Sequence, residues 1–555
     1  MGIYLTLLLA VRLVCASTDM IDQESVTLDS TNIEKKTVDI LATLTLEQKI
    51  GQMLMYGFKG KDVYEDIVPL IKKYKPGGFV IFSRNVDNED QIVRLNKSIQ
   101  GYSKQNLKLP AFIAIDQEGG RVLRIKDFVT VLPGNMNLGA ARSPALSFLA
   151  GKLTGIDLEM LGINMNFAPV VDVNMSSSND VIGVRSFGDD PDKVAELGAS
   201  YITGIQSRRV IATAKHYPGH GNTKTNSHFL VTKIDRDINE LRDIDLKPFA
   251  EAVRAGVDAI MTAHISVPKV DTSGLPATLS HKLITDILRK EMGFNGLVIT
   301  DDMEMGAITN DLPIGQAAVE AVLAGCDMIT IVWTESAKNE VYNSLLSAVK
   351  KGVIKEDRIN ESVKRIISAK LKRKLFNNML DPDIEEVRRV VGNSLHQQIS
   401  RLIAQKSITL VRNLGNVIPV DKNKKFAVVG SFEYLSSELE SMGIRNDLIK
   451  INIKLTPQQR KTSLARILKN DAKVDAYIVA VVDESQAKLA SALKHRTKKH
   501  VIVASLDSPY MYSTVRDADA YICAYSFRSQ AIHALARVIT GEFGATGQLP
   551  VELEN

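Results

Sequence analysis

The stretch Val210-Ile211-Ala212-Thr213-Ala214-Lys215-His216-Tyr217-Pro218-Gly219-His220-Gly221 decides the fold of this 555-residue chain. Its first five residues form an apolar run with the length of a buried strand. The run gives way to Lys215, His216 and a Pro-Gly turn, followed by a polar loop that carries His228. Because rigid strands often present functional side chains on the loops that follow them, the stretch predicts a site where this strand ends.

Seven further apolar runs recur at intervals long enough for a helix. They are Gly51–Gly57, Gly78–Phe82, Ala111–Ile115, Ile163–Ala168, Val257–Thr262, Gly296–Thr300 and Asp327–Val332. Eight strand–helix units over roughly 300 residues predict a (β/α)8 barrel. A doubly wound open sheet would give the same alternation.

Polar residues after the strands favour the barrel over the open sheet. They follow at least five strands, as Ser83-Arg84-Asn85, Asp116-Gln117-Glu118, Asp172, Lys215-His216 and Asp301-Asp302. A barrel gathers the carboxyl ends of all its strands around one mouth, whereas an open sheet would scatter some of them.

The length predicts more than one domain, since single cores stop growing near ~250–300 residues. We predict a barrel over 36–375, a linker over 376–405 and a smaller α/β sandwich domain over 406–555. The second domain has apolar runs at Ser407–Val411, Phe426–Val429, Ala476–Val482, Val501–Leu506 and Ala520–Tyr525.

Composition is that of a soluble globular protein, with 45% hydrophobic and 24% charged residues and a net charge of +5. The Lys-rich pieces at 421–425 and 494–500 lack interleaved aromatics, so we expect no nucleic-acid partner. Cys326 and Cys523 lie far apart within apolar runs and are predicted to be buried free thiols.

Residues 3–15 are apolar except for Arg12. The run is shorter than the ~20 residues of a membrane span but fits the apolar region of a signal peptide. It predicts a signal peptide over 1–16 and a secreted or envelope-associated protein. No Lys or Arg precedes the run, so a cytoplasmic location stays open. No later segment is long enough to span a membrane.

Two segments carry carboxylates at strand ends. Asp301 follows a β-branched strand, where a carboxylate can act as a nucleophile. A helix N-cap is the alternative, and Asp302 suits it better.

Asp116 could accept hydrogen bonds from sugar hydroxyls while Arg124 clamps neighbouring oxygens, or the two could form an internal ion pair. Arg185, taken alone, is better explained by a surface ion pair.

His216, His220 and His228 match no usual zinc spacing, and no Cys lies nearby. We therefore expect no metal site. His220, between two glycines, is expected to shape its loop by hydrogen bonding.

Four ordered motifs together resemble the β-N-acetylglucosaminidase branch of glycoside hydrolase family 3. They are Asp116–Val122, Arg185-Ser186-Phe187, Lys215–His228 and Thr300–Met303. The resemblance is strong over residues 36–375. It extends more loosely to 555 through Ser407–Asn413 and Leu549-Pro550-Val551.

The resemblance implies a role for each matching residue. Asp301 corresponds to the nucleophile that forms a covalent glycosyl intermediate, and His228 to the general acid/base. The positions that hold the terminal N-acetylglucosamine correspond to Asp116, Arg124, Arg185, Lys215 and His216. No cofactor and no protein partner is implied. An imidazole suits the acid/base role because it titrates near neutrality and adds no second anion.

One position departs from the family's pattern. The family has Asp two residues before the acid/base His, whereas this chain has Asn226, and Asn222 replaces another usual Asp. Asn brings no negative charge to orient and charge the ring; the comparable exchange in serine proteases costs roughly 10⁴ in kcat. Either the enzyme is active with weakened acid catalysis, or the chain is a non-catalytic sugar-binding relative.

The sequence as a whole predicts an exo-acting retaining β-N-acetylglucosaminidase. Peptidoglycan fragments and chitooligosaccharides are both open as substrates. A family 3 β-glucosidase remains an alternative, although it would need a catalytic Glu from the second domain. A glycoside phosphorylase also remains open, because His as the base suits an anionic acceptor.

Overall fold

The computed structural model describes residues 30–223, 232–376 and 383–553. Eight parallel strands close a barrel in sequential order around its axis. They are β1 (Leu54–Gly57), β2 (Gly78–Ile81), β3 (Phe112–Ile115), β4 (Met165–Asn166), β5 (Ile211–Tyr217), β6 (Ala259–Thr262), β7 (Leu297–Asp302) and β8 (Met328–Ile331). Closure is completed by pairing of β1 with β8. The predicted barrel is confirmed, and the open-sheet alternative is wrong.

Helices cover the outside of the barrel. Those between strands are Ile67–Tyr74, Glu89–Leu107, Asn135–Ala141, Pro144–Met160, Pro191–Gln206, Ile238–Asp243, Lys247–Arg254, Gly306–Thr309 and Ile314–Ala324, with a π-helix at Lys282–Glu291. Ser30–Ala42 and Leu46–Gln52 precede the barrel, and Glu335–Lys350 and Glu356–Lys372 follow it.

The helix Glu89–Leu107 illustrates how the sequence specifies these elements. Ile92, Leu95 and Ile99 are buried, at the i, i+3, i+7 spacing of one helix face. The Asn88 side chain caps the helix by accepting a 3.0 Å hydrogen bond from the Gln91 N–H.

A buried carboxylate ties two helices to the amino end of the barrel. Asp327, directly before β8, accepts hydrogen bonds from Ser362 Oγ at 2.7 Å and Arg365 Nη1 at 3.1 Å. It also pairs with Arg289 and accepts from the Val298 N–H at 3.0 Å. Its side chain is fully buried, so its charge depends on these partners.

The second domain is built on one six-stranded sheet. Its strands are β9 (Thr409–Asn413), β10 (Lys425–Gly430), β11 (Arg445–Lys450), β12 (Ala476–Val481), β13 (His500–Ser505) and β14 (Ala520–Cys523). The strand order is β9-β14-β13-β12-β10-β11, with only the β9–β14 pair antiparallel.

Helices Tyr434–Ser441, Pro457–Leu468, Glu484–Lys494 and Ser529–Ile539 flank this sheet. Alternate residues of β12 enter two separate cores: Tyr477 and Val479 lie in one, Ala476 and Ile478 in the other. Both faces of the sheet are therefore covered, which confirms the predicted α/β sandwich.

Helices also occupy the segment predicted as a linker. Ile384–Val390 and Ser394–Ser407 follow the barrel, and the second of them ends directly before β9. Its Ser400 Oγ donates a 2.6 Å hydrogen bond to Val131 O of the barrel.

The second domain contacts the loop that follows β3. Arg528 Nε donates a 2.7 Å hydrogen bond to Gly120 O, and Asp507 forms an ion pair with Arg121. The closing segment also reaches the barrel, since the Asp189 N–H donates to Pro550 O at 3.1 Å. The turn at Gly119 and Gly120 is thus held from outside the barrel; both glycines have positive φ.

Cys326 and Cys523 are buried free thiols, as predicted. Among the helices of the described residues, none combines the length and apolarity that crossing a membrane requires.

Loss of the Asp327 carboxylate should destabilise the barrel. Asp327→Ala leaves the guanidinium groups of Arg289 and Arg365 without their buried counter-ion, and we expect the free energy of unfolding to fall by about 3–5 kcal/mol. Denaturant unfolding measures this. Asp286→Ala, which removes a partly exposed carboxylate paired with Lys290 one helical turn away, is the control and should cost under about 1 kcal/mol. Equal losses in the two variants would contradict this role of Asp327.

Candidate active site

A cleft of about 450 Å³ opens at the carboxyl ends of the barrel strands. The structure brings six of the predicted site residues together in its lining: Asp116, Arg124, Arg185, Lys215, His216 and Asp301. These residues come from β5, β7 and the loops that follow β3 and β4. His228 and Asn226 lie outside the described residues.

A buried network of ion pairs forms one side of the cleft. Lys215 Nζ donates to Asp116 Oδ1 at 2.8 Å and lies 2.7 Å from Glu118 Oε1. Arg185 binds Glu118 through two nitrogens, Nε at 2.9 Å and Nη2 at 2.8 Å. Arg124 Nη2 donates to Asp116 Oδ2 at 2.8 Å. The Lys215 and Glu118 side chains are each only 2% exposed.

The network keeps Asp116, Glu118 and Lys215 charged. Burial alone would raise the pKa of both carboxyls, but Lys215 and Arg124 lower that of Asp116 below its usual range. Arg185 and Lys215 likewise lower the pKa of Glu118 to about 2. Burial disfavours the Lys215 ammonium, yet Asp116 and Glu118 raise its pKa above the ordinary value. The cleft wall therefore carries fixed charges and hydrogen-bonding groups, as recognition of sugar hydroxyls requires.

One expectation drawn from a single motif needs correction. Arg185 is not in a surface ion pair, because its side chain is 15% exposed and its partner Glu118 is buried. The internal Asp116–Arg124 ion pair, one of the two alternatives for that motif, does form, and both residues line the cleft.

Glu118 had no role in the predicted site. Glu118 follows the same strand as Asp116, but its pairing with Lys215 and Arg185 depends on packing across the barrel.

His216 is oriented by a second residue whose role the sequence did not indicate. Asp172 Oδ2 lies 2.8 Å from His216 Nδ1, and Asp172 Oδ1 accepts from the His216 and His220 backbone N–H groups. His216 Nε2 lies 3.5 Å from Arg185 Nη2. Although burial would raise the pKa of Asp172, the neighbouring histidines lower it, so the carboxylate stays ionised. It fixes which ring nitrogen of His216 faces the cleft.

His220 shapes its loop, as predicted. Its Nδ1 lies 2.8 Å from Thr223 Oγ1, and its carbonyl accepts from Asn179 Nδ2 at 2.7 Å. Burial lowers the pKa of His220 to about 4, so the ring is neutral at physiological pH. Within 30–223, 232–376 and 383–553, no group of three or more His, Cys, Asp or Glu side chains is arranged to hold a metal ion.

Asp301 lies near the end of β7 in the floor of the cleft. Its Oδ1 accepts a 2.8 Å hydrogen bond from the Asp302 N–H. Burial would raise the pKa of Asp301, but the charges of His216 and His264 and the Asp302 N–H outweigh burial and lower it. An ionised carboxylate in a cleft of this kind is chemically competent as a nucleophile.

Asp302 does not have the predicted role of helix cap. Strand β7 continues through Asp302, and the next helix begins at Gly306 with Met305 in the cap position. Asp302 instead lines the cleft beside Asp301. Burial raises its pKa to about 7; the charges of Glu304 and Asp301 add to this effect and the Glu304 N–H opposes it.

A (β/α)8 barrel with a charged cleft at the carboxyl ends of its strands has the architecture of an enzyme. Residues 45–369 match the profile "Glycosyl hydrolase family 3 N terminal domain". The chain therefore belongs to glycoside hydrolase family 3.

Three relatives support this membership, two of them over nearly their full length. β-Hexosaminidase A of Pseudoalteromonas piscicida is 30% identical, over 92% of this chain and 98% of its own length. The structure of a family 3 β-N-acetylglucosaminidase from Paenibacillus sp. str. FPU-7 superposes with a TM-score of 0.86 at 35% identity, covering 92% of this chain and 99% of that one. A β-N-acetylglucosaminidase/β-glucosidase of Cellulomonas fimi is 31% identical over 57% of each chain.

The raised pKa of Asp302 predicts a pH dependence of stability. The native state holds this proton up to about pH 7, whereas an ordinary Asp releases it near 3.8. The native state thus binds more protons between these values, and its stability falls as pH rises through that window. Asp302 can contribute at most about 1.4 kcal/mol to this loss of stability for each unit by which its pKa is raised, and its partial exposure reduces that contribution.

Between pH 5 and 7.5 the free energy of unfolding of the wild type should fall by about 2 kcal/mol more than that of Asp302→Asn. Denaturant unfolding of both proteins at the two pH values measures the difference. Identical pH slopes in wild type and variant would contradict the assignment.

Proposed function

We propose that the chain is an exo-acting, retaining β-N-acetylglucosaminidase with Asp301 as its nucleophile. The observation that carries the proposal is the ionised Asp301 in the cleft that Asp116, Arg124, Arg185, Lys215 and His216 also line. The names of the full-length P. piscicida and Paenibacillus relatives support the same activity.

The proposed reaction has two steps. The Asp301 carboxylate attacks the anomeric carbon and forms a glycosyl ester, while the bond to the leaving oxygen breaks and that oxygen takes a proton from His228. Water then loses a proton to His228 and attacks the same carbon, which releases Asp301 and the sugar. Two inversions give net retention. The role of His228 rests on the sequence motif that contains it.

The charged wall of the cleft is proposed to hold the terminal sugar. Asp116 accepts hydrogen bonds from its hydroxyls, while Arg124, Arg185 and Lys215 donate to its oxygens. His216 is held by Asp172 with Nδ1 occupied, so Nε2 is the ring nitrogen directed toward the sugar. Because Glu118 and Asp172 already fix these groups, little reorganisation accompanies binding.

Two alternative activities remain within the enzyme class. The Cellulomonas fimi relative is named for both N-acetylglucosaminidase and β-glucosidase activity, which keeps glucosides open as substrates. Phosphate could replace water in the second step, which would make the enzyme a phosphorylase. From another class, a sugar-binding protein would bind the same ligands without turnover.

The substrates that we propose are peptidoglycan fragments or chitooligosaccharides. Both expose terminal β-linked N-acetylglucosamine. The apolar run at residues 3–15 supports export to the envelope or beyond, where both polymers are encountered.

Turnover of an aryl β-N-acetylglucosaminide tests the assignment. We expect hydrolysis of this substrate in preference to the β-glucoside, and Asp301→Ala should lower kcat by about 10⁴-fold or more because the covalent step is lost. Asp286→Ala, on the surface of the barrel, is the matched control and should retain full activity. Binding without turnover by the folded wild type would favour the sugar-binding alternative.

Restoring the family's dyad should strengthen proton transfer. If Asn226 weakens general acid catalysis, Asn226→Asp raises kcat by up to about 10²-fold on alkyl glycosides, whose leaving groups need a proton. The gain on nitrophenyl glycosides should be much smaller, because that leaving group departs as an anion. Equal gains on both kinds of substrate would contradict this role for residue 226.

A further inference from the structure

Trp333 is the sole tryptophan of the chain, and it lies at the mouth of the cleft. It follows β8 and is 51% exposed, whereas most large apolar side chains are buried. Indole rings carry a large apolar face together with a polar N–H group, and they are used where one face meets a ligand. A half-exposed indole beside a highly polar cleft therefore requires an explanation.

The ring is held in place by a stack that also includes Phe82 and Arg84. The Phe82 and Trp333 ring centroids are 5.4 Å apart. The Arg84 guanidinium lies 4.4 Å from the Phe82 centroid and 4.7 Å from that of Trp333. Arg84 Nε donates to Phe58 O at 2.9 Å, so the guanidinium is fixed. We call Phe82, Arg84 and Trp333 the rim stack.

Backbone contacts also fix Trp333. The backbone N–H of Trp333 donates a 2.6 Å hydrogen bond to Glu304 Oε2. The same carboxylate accepts from the Thr334 N–H at 2.9 Å and from Thr334 Oγ1 at 2.7 Å through Oε1. Glu304 lies three residues after Asp301, so a single short segment carries both the nucleophile and the anchor of Trp333.

The rim stack is continuous with the charged wall of the cleft. The Arg124 guanidinium lies 5.3 Å from the Phe82 ring centroid and also donates to Asp116. The inner part of the cleft is therefore charged, and the aromatic surface begins at its mouth. This order matches a terminal sugar held by hydrogen bonds, followed outward by a ring that stacks on an aromatic face.

We propose that the rim stack, with Trp333 as its exposed face, binds the second pyranose ring of the substrate, on the leaving-group side of the scissile bond. The proposal rests on the proposed function. Pyranose rings present an apolar face of C–H groups, and stacking on a preordered indole binds that face with little loss of entropy. Packing of Arg84 against Phe82 would by itself account for those two residues, but it does not account for the exposed half of Trp333.

The single tryptophan makes the proposal testable by fluorescence. The Asp301→Ala variant keeps Trp333 and binds without turnover. We expect chitobiose to quench or shift its emission at saturation, and N-acetylglucosamine, which fills only the inner position, to leave it unchanged. A disaccharide ending in N-acetylmuramic acid forms the second arm. A response to either disaccharide supports the rim stack, and the stronger response identifies the source of the ring. Calorimetric binding of both with no change in emission overturns the proposal.

Steady-state kinetics give a second test. Trp333→Ala should raise the KM for chitobiose about tenfold, whereas Trp333→Phe, which keeps an aromatic ring, should leave that KM close to the wild-type value. The KM for methyl β-N-acetylglucosaminide, which has no second ring, should stay within about twofold. Tyr434→Ala, which removes an exposed aromatic ring from the second domain, is the control.

This kinetic test distinguishes failure of the proposed function from failure of the rim stack. If wild type turns over neither substrate, the proposed function fails. If wild type turns over both and Trp333→Ala raises both KM values equally, only the rim stack fails.

Discussion

The ammonium of Lys215, buried between the carboxylates of Asp116 and Glu118, is the interaction on which the rest of the site depends. Removing either kind of charge would leave the other buried and uncompensated, which typically costs several kcal/mol. Strand β5 is thereby fixed to the segment after β3, and Arg185 extends the link to the loop after β4. The charged groups that line the cleft are therefore held in position by one another.

This arrangement explains why the chain uses a second domain at the barrel mouth. The segment that carries Asp116 and Glu118 continues into the Gly119–Gly120 turn, which has little side-chain packing of its own. Arg528 and Asp507 of the second domain hold that turn through Gly120 O and Arg121. The second domain therefore stabilises one wall of the cleft, while Asp301, the proposed nucleophile, belongs to the barrel.

Much of the fold could be predicted from the sequence, because each barrel strand is a short apolar run followed by polar residues. Strand β11 could not, since Arg445, Asn446 and Asp447 are polar and the strand lies at an exposed sheet edge. Six of the residues that line the cleft were also predicted as site residues. Their supporting partners were not: Glu118 and Asp172 act through Lys215, Arg185 and His216, and such pairings depend on packing across the barrel. Asp302 was assigned to a cap because sequence cannot reveal that β7 continues through it.

The most direct test of the account is covalent trapping of the nucleophile. The folded chain would be incubated with a fluorinated N-acetylglucosaminide that forms the glycosyl ester quickly and releases it slowly, and peptides would then be analysed by mass spectrometry. We predict one added sugar on the peptide that contains Asp301, and none in Asp301→Ala. Active enzyme with the adduct on a different carboxylate, or turnover with inversion at the anomeric carbon, would contradict the central claim.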